Sequence, residues 1–182
     1  MIRGTGFLLF CRSSLASGKD MGPETKRATD HRSSLKFSFG EQPRRGYARI
    51  TPDTLYTGER GFGLMSSPML ETNARSLCAE NASFLFVVDL PEGDYDVKLT
   101  TGGAETESVT TVKGEARRLF LERVIVPKRK FATEAFTVNV RYKELANHEV
   151  VRIKKDEQDD FDWDHRLSLE FSNTHPCVSS LT

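Results

Sequence analysis

An acidic stretch near the C-terminus has the residue types that bind hard metal ions. The segment DEQDDFDWD, residues 156–164, contains five aspartates and one glutamate. Asp160, Asp162 and Asp164 follow the D-x-D-x-D spacing that opens an EF-hand loop, and carboxylate oxygens are ligands that calcium prefers. The EF-hand pattern is not completed, because His165 stands where a glycine is needed. Two interpretations stay open, a calcium site and a solvated acidic loop, and we expect no other cofactor.

Aromatic residues beside polar ones could instead contact a sugar. An aromatic plane suits the C–H face of a sugar ring, and neighbouring polar groups can take directed hydrogen bonds from its hydroxyls. Trp163, the only tryptophan, lies in the acidic stretch, and the segment LYTGERGFGL places two more rings between glycines. In the alternative interpretation these rings pack against the core. The candidates for ligand contact are Tyr56, Glu59, Arg60, Phe62 and Trp163.

The motifs of hydrolytic catalysis are incomplete in this chain. Asp162 and His165 have the D-x-x-H spacing of the acid and base in an SGNH-type hydrolase triad. A triad also needs a nucleophile, and neither G-x-S-x-G nor Gly-Asp-Ser occurs in the sequence. We therefore predict that the chain is not an enzyme, with an esterase of unrecognised arrangement as the competing hypothesis.

The three cysteines are too few for a disulfide framework or a paired CxxC zinc site. They are Cys11, Cys78 and Cys177. A bridge between the last two is one interpretation if the chain is exported, and two buried free thiols are the other. The N-terminus does not establish export, because its apolar run at residues 7–10 is shorter than the hydrophobic region of a signal peptide.

Composition excludes several classes of partner. The 182 residues include 26 basic and 26 acidic ones, for a formal charge of +0, so net charge gives no reason to expect nucleic acid. No apolar run approaches the roughly 18 residues that a membrane helix needs, so no membrane partner is expected. The basic clusters at Arg44–Arg45, Arg117–Arg118 and Lys128–Lys130 are interpreted as solvated strand ends.

The elements that must position these residues are strands. Residues 1–34 are predicted to be a disordered or processed leader, and residues 35–182 a single domain. Period-two alternation recurs along that domain, for example in ESVTTVKG, EAFTVNVRY and RLSLEF. The stretch SFLFVVDLPEGDYDVKLTTGG, residues 83–103, predicts a β-hairpin around PEGD. Short strands with turns every 8 to 12 residues indicate an all-β fold, an antiparallel β-sandwich or jelly roll.

The order of the segments resembles one protein family. The segments are LKFSFG, GYARITPDTLYTGERGFG, SFLFVVDLPEGDYDVKLTTGG, ESVTTVKGEARRLFLERV, FTVNVR and WDHRLSLEFSNTHPCVSSL. From Leu35 to the C-terminus they resemble the N-terminal galactose-binding-like β-sandwich of bacterial rhamnogalacturonan acetylesterase-like proteins. In that family the sandwich precedes an SGNH hydrolase domain that removes acetyl groups from pectic polysaccharide.

The resemblance implies a non-catalytic, carbohydrate-binding-like accessory module. Its expected partners are a pectic polysaccharide or oligosaccharide and an SGNH hydrolase domain, and its expected location is secreted or periplasmic. The alternative is a structural module that docks on the hydrolase domain without binding sugar. That alternative predicts an exposed apolar patch on one face of the domain.

Overall fold

The computed structural model describes residues 34–66, 70–115, 118–143, 150 and 164–182. Within those ranges the chain forms twelve β-strands and no α-helix, which confirms the predicted all-β class. None of the described segments is a helix long and apolar enough to cross a membrane. The strands are β1 (Phe37–Phe39), β2 (Ala48–Ile50), β3 (Phe62–Leu64), β4 (Leu70–Thr72), β5 (Leu77–Ala79), β6 (Phe84–Asp89), β7 (Gly93–Gly102), β8 (Ser108–Gly114), β9 (Arg118–Val126), β10 (Phe131–Val140), β11 (Arg166–His175) and β12 (Cys177–Leu181).

The strands belong to two sheets. The first sheet has seven strands: β10, β7, β12, β1 and β2 lie side by side, β5 pairs with β12, and β4 pairs with β5. The second sheet has five strands in the order β3, β6, β11, β8 and β9. Strands β1 and β2 are parallel, and the other named strand pairs are antiparallel.

Side chains from both sheets share one hydrophobic core. The ring of Phe37 in the first sheet lies 5.0 Å from that of Phe86 in the second, in an edge-on arrangement. Phe39 and Phe171 form a second contact between the sheets, with ring centroids 6.4 Å apart. Edge-to-face geometry is favourable because the positive ring edge meets the negative ring face. Alternate residues of these strands, Phe37 and Phe39 in β1 for example, therefore face a common core.

The predicted hairpin at residues 83–103 is wrong. β6 pairs with β3 and β11 in the second sheet, whereas β7 pairs with β10 and β12 in the first. The segment between them, which begins at Leu90, therefore carries the chain from one sheet to the other. The predicted faces of β7 are confirmed, because Val97 and Leu99 are buried while Asp96 is exposed.

Cys78 and Cys177 are joined by a disulfide. They face each other across the antiparallel pair of β5 and β12, with Cα atoms 4.2 Å apart. Of the two interpretations of these cysteines, the structure therefore has the bridge and not the free thiols. The bridge ties residues that are 99 apart in sequence.

Candidate functional site

Tyr56 lies at the corner where β6 ends, held by a close backbone crossing. The chain at Leu55 and Tyr56 passes directly over Gly63 of β3, where an added Cβ would lie 2.5 Å from the Tyr56 nitrogen. Only glycine leaves room for that approach. The Tyr56 hydroxyl donates a hydrogen bond to Asp89 Oδ1 at 3.0 Å. The phenol is therefore fixed in place rather than free in an open loop.

Asp164 and Arg166 complete this corner. Both the backbone nitrogen and Nε of Arg166 donate to the Asp164 carboxylate at 2.8 Å, and the guanidinium lies 5.5 Å from the Tyr56 ring centroid. Partial burial raises the pKa of Tyr56, and the hydrogen bond to Asp89 raises it further. A calcium ion at Asp164 would have to compete with Arg166 for both carboxylate oxygens, and the predicted calcium site stays a prediction.

The remaining predicted residues make other contacts or lie outside the described residues. Glu59 is exposed, and the exposed Arg60 guanidinium donates to the Leu55 carbonyl. Phe62 is half-buried, with its ring 5.2 Å from that of Phe37. Trp163, Asp160 and Asp162 lie outside the described residues. Ligand contact by this set stays a prediction.

His165, the proposed base of the esterase hypothesis, is exposed beside an aromatic ring. Its imidazole lies 4.0 Å from the ring centroid of Tyr142, edge-on. The Tyr142 hydroxyl donates to the Leu90 carbonyl at 3.0 Å, which fixes the ring that His165 contacts. The imidazole therefore has a packing contact, and its catalytic role stays an untested hypothesis.

A second site was not identified from sequence: a cleft of about 610 Å³ on the first sheet, lined by both polar and apolar residues. We call it the arginine groove. Its floor is a row of hydroxyls on neighbouring strands, since Ser38 pairs with Ser180 and Ser180 with Thr100. The same row continues to Thr133 on β10, whose hydroxyl lies 3.0 Å from that of Thr100. The groove is lined by Ser38, Gln42–Arg45, Arg75, Thr100, Phe131 and Ser180, among others.

One hydroxyl of this floor lacks a hydrogen-bond partner among the described residues. The Ser38 side-chain oxygen is buried, and no described atom accepts from it or donates to it. A buried polar group without a partner costs roughly 1–3 kcal/mol relative to a satisfied one. The floor therefore contains a buried hydroxyl whose partner is not among the described residues.

The groove wall is built where two loops meet. The backbone nitrogens of Glu41 and Gln42 donate to the carbonyls of Asn73 and Ala74, each at 3.0 Å. This pairing needs Gly40, because a Cβ there would lie 2.7 Å from the Ser76 nitrogen. Backbone hydrogen bonds thus hold the two loops together, so this wall of the groove is formed without a ligand.

Three arginines give the groove its charge. Arg44, Arg45 and Arg75 line it, and no aspartate or glutamate is among the described residues that do. The Arg75 backbone is positioned by Asn73, whose side-chain oxygen accepts from the Arg75 nitrogen at 2.9 Å. The Arg44 guanidinium lies 4.1 Å from the ring centroid of Tyr47, a cation–π contact that holds it in place. The groove therefore concentrates positive charge that its own lining does not neutralise.

Phe131 supplies an exposed aromatic surface beside the arginines. Its ring packs on Gly103, where an added Cβ would lie 2.5 Å from the ring. The residue is nevertheless 40% exposed, unlike the core phenylalanines. Because Gly103 contacts the ring and part of the ring is exposed to solvent, Phe131 is suited to stacking on a flat apolar face of a ligand.

Sequence reasoning missed this groove for an identifiable reason. Arg44 and Arg45 were interpreted as a solvated strand end, which matches their exposure but not their neighbours. Ser38 lies between Phe37 and Phe39 in β1, and Ser180 lies next to Leu181 in β12, so the sequence shows a polar residue in each strand, although both serines are buried. Their alignment depends on the pairing of strands distant in sequence, which alternation does not encode.

Comparison with known proteins supports the fold alone. No family model matches the chain, and no curated protein matches it. The crystal structure of protein YxiM from Bacillus subtilis is similar, with a TM-score of 0.54 and 19% sequence identity. The similarity covers 81% of this chain and 38% of that protein, so this chain spans well under half of the length of its structural neighbour. Over its described residues the chain therefore has an all-β fold of two sheets, and a similar fold occurs within a longer protein.

Proposed function

We propose that this chain is a non-catalytic carbohydrate-binding module with a galactose-binding-like jelly-roll sandwich fold. Its ligand is an acidic pectic oligosaccharide, and its site is the arginine groove. The observation that carries the proposal is the combination of three arginines, a row of hydroxyls and the exposed ring of Phe131 in one cleft. The Tyr56 corner is a secondary contact candidate.

Each part of the groove suits one part of a uronic acid residue. The planar guanidinium fork of Arg45 or Arg75 matches the geometry of a sugar carboxylate. The hydroxyls of Ser180 and Thr100 exchange hydrogen bonds with ring hydroxyls. Phe131 stacks on the apolar face of the ring. Because the cleft is open and the arginines are exposed, we expect weak binding that decreases with salt concentration.

The proposal extends to the protein context. By its resemblance to the rhamnogalacturonan acetylesterase-like proteins, the module serves an SGNH hydrolase domain, and it is secreted or periplasmic. The Cys78–Cys177 disulfide supports export, because disulfides persist mainly in oxidising compartments. The match to part of a longer structural neighbour is consistent with a module that accompanies another domain.

Calorimetric titration tests this proposal. We expect saturable binding of oligogalacturonate and at least about tenfold weaker binding of the fully methyl-esterified oligosaccharide, since esterification removes the charge that the arginines bind. Arg75→Gln should weaken binding of the acidic ligand about tenfold. Arg118→Gln is the charge-matched control, because Arg118 lies on β9 in the second sheet and contacts Asn139. Equal loss in both variants would show nonspecific attraction only.

A docking module that binds no sugar is the second candidate function. The supporting observation is that Leu119 and Ile125, both on the outer strand β9, are about half exposed, at 51% and 54%. An SGNH hydrolase domain, the partner that the resemblance implies, would cover them. Absence of oligosaccharide binding together with hydrolase binding that is lost on Leu119→Ser would favour this second function.

A further inference from the structure

Two cysteines and a histidine lie together at the junction of β11, β12 and β5. Cys177 follows His175 by two residues, and Cys78 faces Cys177 across the strand pair. One ligand atom from each of the three lies within 4.8 Å of those from the other two. Both cysteines are buried, whereas the His175 side chain is 16% exposed. The cluster is thus reached from solvent through the imidazole.

The imidazole of His175 is oriented like that of a metal ligand. Its Nδ1 lies 3.2 Å from the Glu107 carbonyl oxygen and 3.0 Å from the Thr106 hydroxyl. A carbonyl only accepts, so the neutral tautomer in which Nδ1 donates to Glu107 leaves the lone pair on Nε2. That Nε2 lies 3.7 Å from Cys177 Sγ. Histidine ligands of metals commonly donate their other ring N–H to a carbonyl in this way.

We propose that, when the disulfide is reduced, Cys78, Cys177 and His175 bind a zinc ion. Glu80 can supply a fourth ligand, because its carboxylate lies 4.0 Å from His175 Nε2 and its side chain is 67% exposed. Water takes that position if the carboxylate does not. Two thiolates, one imidazole and one oxygen form a donor set that zinc accepts in tetrahedral geometry.

The chemistry balances with a thiol reductant. Two electrons and two protons from an external dithiol convert the Cys78–Cys177 disulfide to two thiols, and the dithiol becomes a disulfide. Zinc then displaces one proton from each thiol, and the two sulfurs become its ligands. Zinc–sulfur bonds of about 2.3 Å in a tetrahedron place the sulfurs about 3.8 Å apart. The Cα atoms of Cys78 and Cys177 are 4.2 Å apart, and rotation of the two side chains about χ1 after reduction allows that separation of the sulfurs.

Cobalt titration of the full chain tests this site. Cobalt(II) substitutes for zinc and absorbs visibly when four-coordinate, with thiolate-to-metal charge transfer in the near ultraviolet. We expect the reduced protein, freed of reductant under anaerobic conditions, to bind one cobalt ion with both features, and zinc to bleach them. The oxidised protein should show neither. Absence of the bands in the reduced, folded protein would overturn the proposal.

Variants separate the site from a chance pair of thiols. His175→Gln should weaken cobalt binding by at least about 100-fold, and the matched His165→Gln should leave it unchanged. Thr106→Val keeps all three ligands and should weaken cobalt binding about tenfold, because His175 Nδ1 loses one hydrogen-bond partner. This variant replaces His175→Gln as the test if His175→Gln does not fold. Cys11→Ser should leave the spectrum unchanged. Bands that survive His175→Gln at full affinity, or that need Cys11, would refute the assignment.

Discussion

Reduction of the Cys78–Cys177 disulfide should destabilise the fold strongly. The bridge joins residues that are 99 apart in sequence, so it closes a loop of about 100 residues in the unfolded chain. The chain-entropy model gives about 4.7 kcal/mol at 25 °C for a loop of that length, and removal of native disulfides typically costs about 2–5 kcal/mol. For a domain of about 150 residues, each kcal/mol shifts the melting temperature by roughly 2–4 °C. The expected fall is therefore about 4–20 °C.

The assay is thermal unfolding of the Cys11→Ser chain, with and without a phosphine reductant, in the presence of a chelator. Removing Cys11 ensures that only the buried pair changes its redox state, and mass analysis after alkylation verifies complete reduction. A shift below about 2 °C in the fully reduced protein would refute the reasoning, because hydrogen bonds and packing would then hold β5 on β12 unaided.

Zinc should partly reverse the loss in the same reduced protein. A ligand that binds only the folded state at 100 times its dissociation constant adds about 2.7 kcal/mol. Recovery in the parent chain but not in its His175→Gln variant would connect the stability measurement to the proposed metal site. Equal recovery in both would contradict that connection.

Three further predictions concern the core, the groove wall and the Tyr56 corner. Phe86→Ala should cost about 3–5 kcal/mol in urea unfolding, because the fully buried ring contacts two other rings at 5.0 and 5.4 Å, and a cost below about 1 kcal/mol would contradict that packing. Gly40→Ala should cost about 1–3 kcal/mol by thermal unfolding, since its Cβ would lie 2.7 Å from the Ser76 nitrogen at φ 122°, and an unchanged midpoint would contradict the close contact. Asp89→Asn should lower the raised pKa of Tyr56 partway to its ordinary value, since burial, the larger cause, remains. Because the folded pKa is raised, the associated stability is present below the unfolded pKa and is lost as pH rises through the folded one. NMR titration of labelled tyrosine at alkaline pH measures this shift, and an unchanged Tyr56 would contradict the role of Asp89.

Local alternation predicted the strands well because it reports which face of a strand is buried. β8 is an example: Ser108, Thr110 and Val112 are buried, and the residues between them are half-buried. The same logic failed for residues 83–103, where two correct strands were joined into a hairpin. Alternation identifies a strand but not its partner, and here the connecting segment crosses between sheets.

The site was less predictable for the same reason. Tyr56 and Asp164, two residues selected from the sequence, do meet at one corner, through Arg166. The arginine groove arises only when β1, β12 and β7 align Ser38 with the hydroxyls of the other two strands. The disulfide likewise depends on the register between β5 and β12. Such long-range register is set by tertiary packing, so a single sequence leaves it open.

The most direct test of the central claim is an NMR titration of the isotope-labelled chain with oligogalacturonate. We expect saturable shift changes at the amides and side chains of Arg44, Arg45, Arg75 and Phe131, which line the groove. The Tyr56 corner should change little at low ligand concentration. Shifts confined to that corner, or no shifts at saturating ligand, would contradict the proposal that the arginine groove binds acidic sugars.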